Sequence, residues 1–151
     1  MSTDELDLVD VLDRFVRLET VLWNALDARL VDASDVTLGR LQTLRVIQRT
    51  PDCRVHDVVQ QLAITVGGAS KAVDRIEAAG LCRRRAHPTD RRSSILEVTP
   101  AGERLIADGT ALLRAELTRR MGAVLPDGTL REFAAVVDRL LAAHDDIEAG
   151  G

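Results

Sequence analysis

Thr65-Val-Gly-Gly-Ala-Ser-Lys-Ala-Val-Asp-Arg-Ile-Glu-Ala-Ala-Gly80 is the stretch of sequence that decides the fold. Its small and apolar residues recur at the i, i+3, i+4 and i+7 spacing of one helical face. Thr65 suits the N-cap of a helix, and Gly80 suits the left-handed residue that follows a helix end. We therefore predict a helix between them, with a buried face of Ala69, Ala72, Val73 and Ile76 and an outer face of Gly67, Gly68, Ser70, Lys71, Asp74 and Arg75.

Two further helices are predicted upstream of this stretch. The first begins after Thr37 and ends near Thr50, because Pro51 disfavours the helical conformation in the residue before it. The second covers residues 55–62, and residues 63–64 then form a tight turn. Two short helices joined by such a turn indicate a helix-turn-helix, whose second helix is the one that begins after Thr65.

A β-hairpin is predicted downstream of Gly80. Residues 81–86 and 95–99 have the length of short strands, and the polar residues 87–94 form a long basic tip between them. The helix-turn-helix and the hairpin together predict a winged helix-turn-helix in residues 37–99. The expected fold class is therefore mainly α with a small β wing.

Long helices flank this winged part. Apolar residues recur at near-helical spacing from Leu6 to Val31, with neither Gly nor Pro between them. Thr99-Pro100 is typical of a new helix start, and Pro126 separates that helix from the last one.

These three helices carry more apolar surface than a winged domain of some sixty residues covers. A two-fold dimer is the commonest way to cover such a surface. We therefore expect residues 4–33 and 100–147 to form a helical dimerisation region, within a single domain of residues 1–151. The tail at Gly150-Gly151 is expected to fray.

The net charge is unevenly distributed along the chain. The whole sequence carries −4, whereas residues 40–92 carry +6 and the remainder carries −10. A basic centre between acidic ends suits a domain that binds a polyanion through its middle. Aromatic residues for stacking single-stranded bases are missing from this centre, so double-stranded DNA is the expected partner.

The Thr65 helix is the candidate for the major groove of DNA, which admits one helix. Its first turns supply the candidate base readers Thr65, Gly68, Ser70 and Lys71, and Arg75 is expected on a phosphate or a guanine. Gly67-Gly68 weakens a helix, which favours close approach of the backbone to a phosphate. The competing interpretation is that residues in a first helical turn are under weaker constraint and both glycines merely fit beside Val59. On the wing, Arg91 or Arg92 is expected in the minor groove.

These motifs resemble the MarR family of bacterial transcriptional regulators. The resemblance covers residues 55–102 closely, through Ala69-Ser-Lys-Ala-Val-Asp-Arg-Ile-Glu-Ala-Ala-Gly-Leu81, Arg83-Arg-Arg85, Asp90-Arg-Arg92 and Leu96-Glu-Val-Thr-Pro-Ala-Gly102. It implies a homodimer that represses from a palindromic operator and is released by a small phenolic effector or by oxidation.

The resemblance also implies roles for two acidic residues. Asp74 and Asp90 are expected to pair with wing arginines and hold the wing against the helix, leaving one of Arg91 and Arg92 structural and the other in the minor groove. For Asp90, a solvated surface bridge of under about 1 kcal/mol is an equal alternative. Ala63 departs from the glycine that turns of this family often have, which concerns only the geometry of the turn.

Other sites and classes are less well supported. Cys53 and Cys82 are expected as reduced, buried thiols, neither of them in the first helix where the family's peroxide sensors carry theirs. Trp23 and Leu44 are weak candidates for an effector pocket, and Trp23 is otherwise expected in the core. The three histidines are scattered, so no metal, no cofactor and no enzymatic activity is expected.

The location and the main rival function are also expectations. An acidic N-terminus and the absence of a long apolar stretch favour the cytoplasm and no membrane partner. The rival is a winged-helix dimer that acts as an architectural or protein-interaction module without a specific operator. Its binding to DNA would follow phosphates and would change little with sequence.

Overall fold

The structure is a computed structural model that describes residues 6–149, and for residues 146–149 it describes the backbone alone. The chain divides into two compact units, Met1–Leu112 and Leu113–Gly151. Residues 4 and 5 of the expected dimerisation region and the tail at Gly150-Gly151 lie outside the described residues. Within residues 6–149, no helix combines the length and apolarity that crossing a bilayer requires.

The first helix, α1, spans Leu8–Ser34. The Asp7 carboxylate caps it by accepting the N–H of Val9 at 2.8 Å. Its apolar stripe is buried only toward the end of the helix, at Leu26 and Leu30. The earlier apolar side chains of α1 are exposed in the single chain.

Three shorter helices follow, α2 (Leu38–Arg49), α3 (Val55–Leu62) and α4 (Val66–Ala78). Thr37 caps α2 and Thr65 caps α4, as the sequence predicts. The predicted limits of all three helices are confirmed to within about two residues. They enclose a core of Leu41, Leu44, Val46, Ile47, Val58, Ala69, Val73 and Ile76, all of which are buried.

The turn between α3 and α4 passes through Ala63, which has the left-handed conformation at φ 51° and ψ 44°. The next N–H group, that of Ile64, donates to the carbonyl of Val59 at 3.2 Å. This conformation reverses the chain within two residues, but it is unfavourable for a residue that carries a Cβ. Ala63 therefore makes the turn that glycine makes more easily.

The wing is an antiparallel hairpin of β1 (Cys82–Ala86) and β2 (Ser94–Val98), with Arg84 opposite Leu96. Leu96 is buried, and its N–H donates to the carbonyl of Cys53 at 2.7 Å. The hairpin is thus anchored to the segment between α2 and α3. The prediction of a mainly α fold with a small β wing is confirmed.

Thr99 joins the wing to the next helix, α5 (Pro100–Leu117). Its hydroxyl donates to the carbonyl of Gly80 at 2.6 Å and accepts the N–H of Gly102 at 3.2 Å. A Cβ added at Gly102 would lie 2.1 Å from the carbonyl oxygen of Leu81, so only glycine allows this approach. The Thr-Pro-Ala-Gly motif therefore fixes the start of α5 against the residues that enter the wing.

The second unit contains the end of α5, a π-helical turn at Thr118–Gly122 and the helix α6 (Asp127–Ala149). Glu116 pairs with Arg119 and Arg120, at 2.6 Å in both cases, and its side chain is only 9% exposed. These hydrogen bonds, with Arg119 first, lower the pKa of Glu116 to about 2. The start of α6 directly after Pro126 is as predicted, and the single-domain organisation stays a prediction.

Candidate nucleic-acid interface

The first turn of α4 is exposed and has few neighbours within the chain. Thr65 caps it, because its hydroxyl oxygen accepts the N–H of Gly68 at 3.0 Å. A Cβ added at Gly67 would meet no atom within 4 Å, and one added at Gly68 would meet only the Thr65 hydroxyl, at 3.1 Å. Val59 lies within 4 Å of neither position. Neither glycine therefore packs against Val59, and weaker constraint on residues of a first helical turn stays the alternative to close approach of the backbone.

The polar readers lie on the outer face of the same helix. Lys71 and Arg75 are exposed, and Ser70 is half-buried. Among the described residues, neither Lys71 nor Arg75 forms an ion pair with an acidic side chain. Their cationic groups remain available to an external anion.

Arg84 connects the wing to the outer face of α4. Its guanidinium donates to Asp74 at 2.7 Å and to Glu77 at 2.6 Å, and its backbone N–H donates to Glu77 at 3.2 Å. The hydrogen bond to Asp74 raises the pKa of Arg84, with Glu77 adding to the effect. Asp74 thus binds the wing as expected, but through Arg84 on β1 and not through Arg91 or Arg92.

A second group of ion pairs covers the outer face of the hairpin. Glu97 on β2 accepts from Arg83 at 2.9 Å and also pairs with Arg85, which reaches Asp52 at 3.2 Å. The hydrogen bond from Arg85, followed by that from Arg83, lowers the pKa of Glu97. Arg85 therefore links the wing to the loop before α3, although Arg83 and Arg85 remain largely exposed.

The tip of the wing is ordered by its own side chains. Nδ1 of His87 accepts the N–H of Asp90 at 3.0 Å, and the Asp90 carboxylate accepts the N–H of Arg92 at 3.0 Å. Asp90 also lies 3.8 Å from Arg54, the residue that precedes α3. The side chains of Arg54 and Asp90 are 39% and 45% exposed, so this is a solvated surface pair. The alternative interpretation of Asp90 predicts such a pair.

Arg91 and Arg92 are both exposed, and within residues 6–149 neither side chain pairs with an acid. The expectation that one of them is structural, through Asp74 or Asp90, is therefore wrong. The reason is that Arg84 and Arg54 lie nearer to those carboxylates. Both wing-tip arginines are free to contact DNA.

The basic residues of α4 and the wing, together with Arg54, thus separate into two sets. Ion pairs within the described residues engage Arg54, Arg83, Arg84 and Arg85. The cations left without such a partner at α4 and the wing tip are Lys71, Arg75, Arg91 and Arg92. All four are residues that the sequence predicts to contact DNA, and that role stays a prediction.

Glu77, Glu97, Asp52 and Arg54 were not predicted as part of this arrangement. Glu77 had a detectable signal, because it lies three residues after Asp74 on the same face of the helix and near in sequence to a run of arginines. The Arg54–Asp90 and Arg85–Asp52 pairs have no such signal, because each joins residues 33 or more positions apart.

Trp23 and Leu44 do not form a common pocket. Leu44 is completely buried in the core, and Trp23 is 39% exposed on α1 beside Glu19, Thr20 and Asn24. The expectation that they form the wall of an effector pocket is wrong, as is a core position for Trp23. The reason is that Leu44 lies inside the core of the first unit, whereas Trp23 lies on a part of α1 that the single chain leaves exposed.

A different cleft, of about 450 Å³, lies in the first unit. Its lining residues come from the end of α1 to the first turn of α2, the end of α4, the residue before β1 and the first three turns of α5. They are Ser34, Asp35, Val36, Arg40, Ile76, Ala79, Leu81, Ala101, Leu105 and Asp108. Its volume is within the range of small-molecule sites.

Cys53 and Cys82 are free and buried. Burial, first among the causes, raises the pKa of each thiol to about 11. Both are therefore protonated near neutral pH, and the thiol is the unreactive form.

Comparison with known proteins agrees with this geometry. Residues 34–93 match the model of the MarR family. No curated protein matches the chain.

Several solved structures share its fold. CouR from Rhodococcus jostii RHA1, bound to p-coumaroyl-CoA, has a TM-score of 0.77 at 19% identity, over 87% of this chain and 91% of that chain. MarR from E. coli, in a mutant form complexed with operator DNA, has a TM-score of 0.76 at 17% identity, over 92% of this chain and 99% of that chain. Sco3205 from Streptomyces coelicolor, in complex with DNA, has a TM-score of 0.78 at 20% identity, over 87% of this chain and 83% of that chain.

Proposed function

Because the winged-helix segment of this chain belongs to the MarR family, we propose that the protein is a transcriptional regulator that binds a specific operator in double-stranded DNA. One observation carries the proposal. The first turn of α4 is exposed, and a Cβ added at Gly67 would meet no atom within 4 Å, while Arg84 fixes the same helix to the wing. A surface held rigidly but left uncovered suits recognition of a ligand of fixed shape such as the major groove.

In this proposal α4 reads the operator. Thr65, Ser70 and Lys71 face base edges, Gly67 and Gly68 let the backbone approach the DNA, and Arg75 binds a phosphate or a guanine. Asp74 and Glu77 take no direct part, because Arg84 occupies both carboxylates. They position α4 relative to the wing.

Arg91 and Arg92 extend this contact from the wing tip. A narrow minor groove has a strong negative potential, which attracts an arginine that carries no internal counterion. We expect separate Arg91→Ala and Arg92→Ala variants to lose affinity unequally if a single arginine enters the groove. Equal, small losses would reject a minor-groove role for either residue.

We propose that the protein binds as a homodimer through helices outside the winged part. The exposed apolar side chains of α1 form a continuous stripe, which is the kind of surface that a second copy covers in a two-fold interface. These side chains are Leu8, Val9, Leu12, Phe15 and Val16. A Phe15→Glu variant should shift the protein to monomer in analytical ultracentrifugation, and a wild-type monomer at micromolar concentration would reject the interface.

We propose the cleft beside α5 as the effector site. Leu81 and Leu105 offer an apolar surface to an aromatic ring, and Arg40 offers a guanidinium to a carboxylate. A ligand there would contact the end of α4, so it could alter the angle of the reading helix. CouR, whose structure holds p-coumaroyl-CoA, motivates a first panel of hydroxycinnamates and hydroxybenzoates. These should raise the melting temperature of the wild type but not of Arg40→Ala.

The test of the proposed function is selection from a pool of random duplexes at about 150 mM salt, followed by sequencing of the bound fraction. A dimeric regulator should enrich a palindrome with half-sites about ten base pairs apart, the spacing of successive major grooves. Binding without enrichment, with a steep dependence on salt, would instead support an architectural module. Absence of binding would reject both DNA-binding functions.

A further inference from the structure

The first residue of α4 is an exposed valine. The side chain of Val66 is 63% exposed, although it lies on the turn that would face the DNA. No residue of the core needs it there, since the buried face of the helix begins at Ala69. An aliphatic group in this place gains nothing from water, and its removal from water on binding would be favourable.

The surroundings of Val66 hold it in a defined position. The cap from Thr65 fixes the backbone on one side, with the carbonyl of Thr65 accepting the N–H of Ala69 at 2.9 Å. On the other side, Gly67 leaves open space, and a Cβ at Gly68 would meet only the Thr65 hydroxyl. Valine is β-branched and strongly prefers one rotamer in a helix, so little side-chain entropy is lost when it meets a ligand.

Each base pair presents a different set of groups in the major groove, and only thymine presents a methyl group there. Ser70 lies one turn further along the same face as Val66, and Lys71 follows it; both are polar and suit hydrogen bonding to base edges. Resting on the proposed function, we propose that Val66 determines specificity by contacting the C5 methyl group of a thymine in each operator half-site.

The proposal is tested with deoxyuridine, which pairs like thymidine but lacks the methyl group. Once an operator has been selected, each thymine of the half-site is replaced in turn by deoxyuridine, and the affinity is measured by fluorescence anisotropy. For the wild type, one position should show a loss of about three- to fivefold per half-site, the value of burying one methyl group. Replacement outside the half-sites should have no effect.

The same duplexes are then measured with variants of Val66. Val66→Ala should bind thymine and deoxyuridine equally at the sensitive position, because the partner of the methyl group is gone. Val66→Thr, which keeps one methyl group, should retain part of the discrimination. The matched control is Val124→Ala, since Val124 is 72% exposed in the turn before α6, outside α4 and the apolar stripe of α1, and should leave the thymine-to-deoxyuridine ratio at the wild-type value.

The outcomes separate this inference from the function on which it rests. If selection enriches no duplex, the proposed function itself fails. If an operator is found but no thymine is sensitive to loss of its methyl group, Val66 has no such role. Sensitivity that persists in Val66→Ala would assign the methyl contact to another residue and would also overturn the proposal.

Discussion

Replacing Gly67 by alanine should raise the stability of the protein and lower its affinity for DNA. The added methyl group enters open space, since a Cβ at this position meets no atom within 4 Å. Gly67 is the second residue of α4, where its conformational freedom weakens the helix. We expect a gain of about 0.5–1 kcal/mol in the free energy of unfolding, or about 1–4 °C in melting temperature for a chain of this size.

The effect on DNA binding should have the opposite sign. If the backbone at Gly67 approaches the operator closely, a methyl group there separates the two surfaces and weakens the contacts made by its neighbours. A loss of at least about tenfold in affinity is expected, the size of losing one good base contact. Anisotropy titration with the selected operator measures it, and thermal unfolding at equal protomer concentration measures the stability.

Gly39 provides a closely matched control. It is the second residue of α2, and a Cβ there also meets no atom within 4 Å. Gly39→Ala should give the same gain in stability with no change in DNA affinity. Wild-type affinity in Gly67→Ala would refute close approach of the backbone, and a loss of stability in either variant would refute the argument from helix propensity.

Three further predictions follow from local geometry. Ala63→Gly should stabilise the fold by about 0.5–1 kcal/mol, because relief of the left-handed conformation at residue 63 exceeds the added freedom of the unfolded chain. Its control is Ala79→Gly, which should destabilise the fold because Ala79 ends α4 with an ordinary φ of −80°. Loss of stability in both variants, measured by urea titration, would contradict a strained left-handed conformation at Ala63. Cys53 and Cys82 should not react with a thiol reagent at pH 7.5 until urea unfolds the protein, since burial raises the pKa of both thiols to about 11. Rapid labelling of either thiol in the native protein would contradict this and would favour a role in sensing oxidants. Glu116, whose pKa falls from 4.5 to about 2, should contribute stability that is complete above pH 4.5 and disappears as the pH falls toward 2. Urea midpoints measured from pH 7 to pH 2 should therefore decline more in the wild type than in Glu116→Gln, and parallel curves would show that the ion pairs do not stabilise the protein.

The winged part could be predicted from sequence because its signals are local. Thr37, Pro51, Thr65 and Gly80 mark the ends of helices through the capping and conformational preferences of single residues, and the structure places those ends accordingly. The periodicity of α4 likewise identified its buried face.

The partners of the charged residues could not be predicted in the same way. Whether Asp74 meets Arg84 or Arg92 depends on how far the hairpin lies from α4, and that distance is set by packing of the whole core. The exposure of Trp23 was missed because helical spacing shows which side chains share a face but not whether the face is covered. The π-helical turn at Thr118–Gly122 also has no reliable local signal.

The buried and exposed residues of α4 are separate, and this bears on how such a protein changes during evolution. Its packing depends on Ala69, Val73 and Ile76, whereas residues 66–68 are exposed and lie outside its buried face. Substitutions in that first turn are therefore open to drift and selection without endangering the fold. A duplicated gene could acquire a new set of target promoters through a few changes there, while inheriting its scaffold intact.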